Sequence, residues 1–132
     1  MVTDVDWAVT PRPLYCADGR KIPDCDSIPP ELRFKFNKEF GQFPLFQFWG
    51  PAASIASSQW IGKAAIAVEE MFRPALHFVY LPHLDYILQK AGPRGNISKD
   101  MIEIDTLCGE LFSFFRERGC RIIVLSEYAS LP

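Results

Sequence analysis

The sequence predicts an α/β fold in which helices flank a parallel β-sheet, and three observations support this prediction. Two short apolar runs, residues 75–81 and 120–125, are rich in β-branched and aromatic side chains, which is typical of strands buried on both faces. The chain between them has helical periodicity, so a right-handed βαβ crossover would make the strands near 76–81 and 121–126 parallel neighbours. The first two fifths of the chain, in contrast, are rich in proline and turn residues.

Residues 1–52 are predicted to form an irregular cap or insert that contains one short helix. A short strand is expected near residues 5–10. The helix is predicted over residues 31–40, because a proline precedes it and a glycine suited to a C-cap follows it. The aromatic, proline-bounded segment 43–51 either packs this region onto the core or lines a pocket or partner surface, and the sequence leaves both interpretations open.

Residues 53–132 are predicted to form an α/β core segment. Apolar residues recur at steps of three and four from 54 to 72, which predicts an amphipathic helix that ends before the first apolar run. A short helix is predicted over 84–90, and a long one over 99–118 with Ser98 as its N-cap. The predicted order of elements is therefore helix, strand, helix, helix, strand.

Charge and composition exclude several classes of protein. The net charge of −2 over 132 residues gives no general attraction to nucleic acid or to an anionic membrane. No apolar run approaches the roughly 20 residues of a membrane span. The N-terminus carries acidic rather than basic residues, which does not indicate a signal peptide. The four cysteines lack metal-binding spacing, so we expect reduced thiols in a cytoplasmic protein.

Polar motif residues follow both predicted strands, where ligands bind in open α/β sheets. The motif residues are Tyr80, Pro82, Asp85, Gln89, Gly92 and Pro93, followed by Asp105 and by Ser126, Glu127, Tyr128 and Ala129. Their spacing resembles the type I phosphodiesterase/nucleotide pyrophosphatase branch of the alkaline phosphatase superfamily, which reads Y-x-x-x-x-D-x-x-x-H-x-x-G-P and later S-D-H-G. The resemblance implies an alkaline-phosphatase-like parallel sheet, a phosphate ester or nucleotide-like substrate, and two zinc ions flanking a Thr or Ser nucleophile.

The metal ligands that this resemblance implies here are Asp85 and Glu127. Gln89 and Tyr128 stand where the family has histidines, and both are poor zinc ligands. An oxygen-only set suits magnesium or manganese, so the cation remains open among Zn, Mn and Mg. The two carboxyl groups are expected about 4–8 Å apart, close enough to share one ion. No catalytic nucleophile is assigned to this chain.

Two histidines complete the set of candidate residues. His83 could replace the missing imidazole, although a surface or helix-start histidine is the favoured interpretation, because neighbouring residues seldom aim at one point. His77, inside the first apolar run, is predicted to be a hydrogen-bonded core histidine.

The sequence leaves three functional hypotheses. The first is a segment of a metal-dependent phosphoric ester hydrolase that is inactive as an isolated chain. The second is a non-catalytic binding or assembly module that kept the fold but lost the metal-ligand set, and the third is an unrelated α/β domain. Because the predicted strands lack neighbours, we expect the chain to be an internal fragment of a longer protein and to self-associate as a two-fold homodimer.

Overall fold

The computed structural model describes residues 4–92 and 94–126. The strands are β1 (Ala8–Pro11), β2 (Leu14–Tyr15), β3 (Lys21–Ile22) and β4 (Cys25–Ile28). The α-helices are α1 (Glu31–Phe40), α2 (Ala56–Phe72), α3 (His83–Ala91) and α4 (Ser98–Glu117), and a short 3₁₀ helix (Leu45–Gln47) lies between α1 and α2. No helix in the described ranges is long and apolar enough to cross a membrane.

The strands form two small antiparallel sheets before the first helix. β1 pairs with β4, so that Ala8 lies opposite Ile28. β2 and β3, which lie between β1 and β4 in the sequence, pair with each other. The turn between β2 and β3 contains Gly19 at a φ of 83°, a conformation that glycine adopts without steric cost. The strand expected near residues 5–10 is therefore confirmed as β1, whereas its partner β4 was not predicted.

An aromatic core joins α1 and the segment after it to α2. Trp60 packs edge-on against Phe36 and Phe43, and its indole Nε1 donates a hydrogen bond to the Gly41 carbonyl over 2.9 Å. Phe43 and Leu45 are fully buried in this cluster. The packing interpretation of segment 43–51 is thus confirmed for Phe43, Leu45 and Phe48, whereas Phe46 and Trp49 are 61% and 44% exposed.

A second core cluster lies between α2 and α4. It consists of Leu107, Leu111 and Phe115, all on one face of α4. A Cβ added at Gly62 of α2 would lie 3.3 Å from Cδ1 of Leu107. The glycine therefore allows the two helices to approach closely.

The structure is consistent with the α/β class, but the predicted alkaline-phosphatase-like parallel sheet is not confirmed. In the described part of the chain the only sheets are the two small antiparallel pairs, and residues 76–81 and 121–126 form no strand. A strand buried on both faces needs neighbouring strands and covering layers. Here the side chains that would face them are exposed, 87% for Phe78 and 82% for Leu125.

The predicted helices are confirmed, with small differences at their ends. The helix predicted over 84–90 begins at His83, and the helix predicted over 99–118 begins at Ser98. The predicted N-cap at Ser98 is wrong. The side-chain Oδ1 of Asn96 accepts a 3.0 Å hydrogen bond from the Ser98 backbone N–H, because an Asn two residues upstream can form this local turn.

Candidate functional site

Asp85 lies in the first turn of α3, exposed to solvent. Its backbone N–H donates to the carbonyl of Pro82, the residue that precedes the helix. Gln89, one turn later, donates a 3.0 Å hydrogen bond from Nε2 to Oδ1 of Asp85. Gln89, which stands where the resembled motif has a histidine, therefore holds the Asp85 carboxylate in place. The free carboxylate oxygen and the amide oxygen of Gln89 remain as oxygen donors.

Glu127, the second predicted ligand, lies outside the described residues, so the predicted separation of the two carboxyl groups stays a prediction. The segments that lead to the two predicted ligands do share one support. Leu81 and Ile122 each pack against the cluster of Leu107, Leu111 and Phe115. Both chain segments therefore leave the same hydrophobic surface.

The segment before Asp85 is also attached to α2 by a buried polar contact. Nε2 of His77 lies 2.9 Å from Oε2 of Glu69, and the two side chains are 17% and 6% exposed. The imidazole ring also packs edge-on against Phe115, with ring centroids 5.1 Å apart. The predicted hydrogen bond of His77 is confirmed, although the residue is partly buried and the backbone around it is not a strand.

A second group of ligand-type side chains lies where the start of α3 meets the first turns of α4. His83 is the first residue of α3, and Asp100 and Glu103 are three residues apart on α4. Nε2 of His83 is 3.6 Å from Oδ1 of Asp100 and 3.4 Å from Oε2 of Glu103. One ligand-type atom from each residue lies within 4.8 Å of the other two. The group can therefore surround a single small ion.

The imidazole of His83 is buried without a hydrogen bond. The residue is 4% exposed, and neither Nδ1 nor Nε2 has a hydrogen-bond partner among the described residues. The two carboxylate distances exceed the roughly 2.7–3.2 Å of an ordinary N–H···O hydrogen bond. A buried polar group without a partner costs about 1–3 kcal/mol. His83 is thus at a helix start, as predicted, but it is not a surface residue.

The sequence analysis missed this group because its members come from two helices. Only the packing of α3 on α4 brings His83 near the acidic residues. A weak signal was present, since Asp100 and Glu103 are spaced by three residues at the start of a helix and therefore share one face.

Two of the four cysteine thiols, those of Cys25 and Cys108, are poor candidates for a nucleophile. Burial, followed by the nearby Asp24 carboxylate, raises the pKa of the Cys25 thiol from 9.0 to about 11. Burial and then Asp105 also raise the pKa of Cys108. A raised pKa lowers the fraction of reactive thiolate at neutral pH. These two thiols therefore remain protonated and unreactive.

The motif and the helix that presents Asp85 point to a hydrolase-like protein of the phosphodiesterase/pyrophosphatase class. The chain matches the family model of type I phosphodiesterase / nucleotide pyrophosphatase over residues 1–130. Because the match spans nearly the whole chain, the protein belongs to this family, as its motif predicted. No curated protein and no solved structure matches the chain significantly.

Members of this family generally depend on metal ions, and the residues at the motif fit this requirement only in part. Asp85 and Gln89 offer oxygen donors but no imidazole, which is unlike a histidine-rich zinc site. Oxygen donors fit Mg²⁺ or Mn²⁺ better than Zn²⁺. In the described part of the chain, the one group of three metal-ligand residues that includes an imidazole is that of His83, Asp100 and Glu103.

Proposed function

We propose that this chain contributes part of the metal site of a phosphoric ester hydrolase, with Asp85 and Glu127 as ligands of one divalent cation. The family match over residues 1–130 carries this proposal, because members of this family generally depend on metal ions. The motif spacing suggests Asp85 and Glu127 as the ligands. Family members act on phosphate esters and nucleotides, so a phosphate ester or nucleotide-like molecule is the proposed substrate class.

Each motif residue has a definable task in this proposal. Asp85 binds the cation through the carboxylate oxygen that Gln89 leaves free, and Gln89 fixes the orientation of that carboxylate. Glu127 reaches one methylene further than the aspartate of the family motif. When bound, the cation would stabilise negative charge on the phosphoryl oxygens.

The isolated chain is expected to be inactive as a hydrolase. None of its motif residues supplies the hydroxyl nucleophile, and two histidine ligands of the family motif are replaced by Gln89 and Tyr128. Catalytic groups that act as a unit lose nearly all activity when one part is missing. Asp85 and Glu127 therefore provide metal binding but not turnover.

Calorimetric titration with Mn²⁺ tests the proposed ligand pair. The chain, the variants Asp85→Asn and Glu127→Gln, and the double variant are compared in a His83→Gln background, which removes the second ligand group. Each single variant should weaken binding by at least about 10-fold, as loss of outer-shell groups alone costs about 10–100-fold. The double variant should lose less binding free energy than the two single variants lose together, because the first substitution already disrupts the shared site.

A matched control and a contradicting outcome sharpen this test. Glu110→Gln removes one negative charge from the exposed surface of α4 and should leave the Mn²⁺ affinity unchanged. If Asp85→Asn and Glu127→Gln change the affinity no more than Glu110→Gln, the two residues hold no cation.

A non-catalytic binding or assembly module is the second candidate function, and one contact favours it. The amide of Gln89 already satisfies one oxygen of Asp85, so this pair is stable without a cation. For this candidate, the titrations just described would show no Mn²⁺ binding that depends on Asp85. The same chain would then function through its surfaces rather than through a metal.

A further inference from the structure

We propose that His83, Asp100 and Glu103 form a binding site for a divalent transition-metal ion, with Zn²⁺ preferred. This group shares no residue with the proposed pair of Asp85 and Glu127. It connects the first residue of α3 to the first turns of α4, and its histidine lies two residues before Asp85. A bound ion would therefore fix the start of the helix that presents Asp85.

The two distances from His83 to the carboxylates match the edges of a zinc tetrahedron. Zinc bonds to nitrogen and carboxylate oxygen of about 2.0–2.2 Å, at tetrahedral angles, place two ligand atoms about 3.4 Å apart. The two observed edges from Nε2 of His83 are 3.4 Å to Glu103 and 3.6 Å to Asp100. The third edge is the distance between the carboxylate oxygens of Asp100 and Glu103. These side chains are 22% and 30% exposed, so they can move to bring that distance to the tetrahedral value.

The buried histidine is the independent observation that points to a ligand. Its side chain is 1% exposed, and its Nε2 faces two carboxylates at distances too long for ordinary hydrogen bonds. Buried polar groups in proteins are normally satisfied by a partner. An ion between the imidazole and the carboxylates would satisfy Nε2 and both acidic side chains at once.

Charge and ligand type identify the class of ion. Two carboxylates on adjacent turns repel each other, and a divalent cation beside a neutral imidazole would cancel their charge. Lys99, 3.5 Å from the other oxygen of Glu103, is exposed and only partly offsets this repulsion. Calcium and magnesium prefer oxygen ligands, whereas imidazole favours zinc and related transition metals. Three protein ligands leave a fourth position for water or a substrate group.

Titration of the metal-stripped chain with Co²⁺ and Zn²⁺ tests the site. The titrations use an Asp85→Asn/Glu127→Gln background, so that they report on this group alone. We expect one equivalent of Co²⁺ to give the visible absorption bands of a four-coordinate ion, and Zn²⁺ to displace it. His83→Gln and Glu103→Gln should each weaken Zn²⁺ binding by at least about 10-fold.

Controls separate this site from unspecific binding to acidic side chains. Glu110→Gln, on the same helix but outside the group, should bind Zn²⁺ like the parent chain. Mg²⁺ at the same concentration should not compete. Glu103 is partly exposed, so Glu103→Gln tests the site even if His83→Gln fails to fold. The proposal is overturned if Zn²⁺ does not bind stoichiometrically, or if binding is equal in the parent, His83→Gln and Glu103→Gln proteins.

Discussion

Replacing His77 by phenylalanine is expected to destabilise the chain by about 3 kcal/mol, because it leaves a buried carboxylate without its partner. Oε2 of Glu69 lies 2.9 Å from Nε2 of His77, and the Glu69 side chain is 6% exposed. Phenylalanine keeps a ring against Phe115, whose centroid is 5.1 Å from that of the imidazole. The loss therefore comes from the hydrogen bond and the stranded charge rather than from packing.

Substitution of the other partner, Glu69, should lower stability by less. Glu69→Gln keeps a polar partner for the imidazole and removes the charge, so we expect a loss of about 1 kcal/mol, in the range of a typical hydrogen bond. We therefore predict that His77→Phe destabilises the chain more than Glu69→Gln does. Removing the partner of a buried charge costs more stability than neutralising that charge.

Urea denaturation followed by circular dichroism measures both free energies of unfolding. Glu70→Gln, the next residue along α2 and 57% exposed in its side chain, serves as the control and should change stability by less than about 0.5 kcal/mol. If His77→Phe costs no more than Glu69→Gln, the contact does not anchor the segment before Asp85.

Three further predictions concern the metal group, the thiol and the exposed apolar segments. In the metal-free chain, His83→Leu should raise the free energy of unfolding by about 1 kcal/mol, since it removes a buried unsatisfied imidazole. The same substitution should abolish stabilisation by Zn²⁺, and marked destabilisation of the metal-free chain would contradict this account. Between pH 9.0 and about 11 the unfolded chain releases the Cys25 proton before the folded chain does, so the free energy of unfolding should fall with rising pH. Denaturation curves recorded across this range should show a smaller decline for Cys25→Ala. Because Phe78 is 87% exposed, sedimentation should show concentration-dependent self-association that Phe78→Ser weakens, and a monodisperse monomer at high concentration would contradict this.

The helices could be predicted from the sequence because their signals are local. The apolar periodicity of α2 lies within that helix, and the proline and glycine that bound α1 directly flank it. The apolar runs at 76–81 and 121–126 carried an equally clear strand signal. Strand formation, however, requires neighbouring strands in a sheet, and in the described residues neither run forms a strand.

The candidate sites were predictable to different extents for a related reason. Asp85 could be proposed as a ligand because its motif lies in one continuous stretch, and the family that this motif predicted is confirmed by the match over residues 1–130. The burial of His83 and its closeness to Asp100 and Glu103 depend on how α3 packs against α4, which no local pattern encodes. The hydrogen bond between Gln89 and Asp85 could have been expected, since residues four apart on a helix are neighbours.

X-ray diffraction from crystals grown with Mn²⁺, recorded to reveal anomalous scattering from the ion, tests the central claim most directly. The claim is that Asp85 and Glu127 share one divalent cation. It predicts an anomalous peak within bonding distance, about 2.0–2.6 Å, of a carboxylate oxygen from each residue. Carboxyl groups separated by well over about 8 Å, or a peak bonded to neither residue, would contradict it.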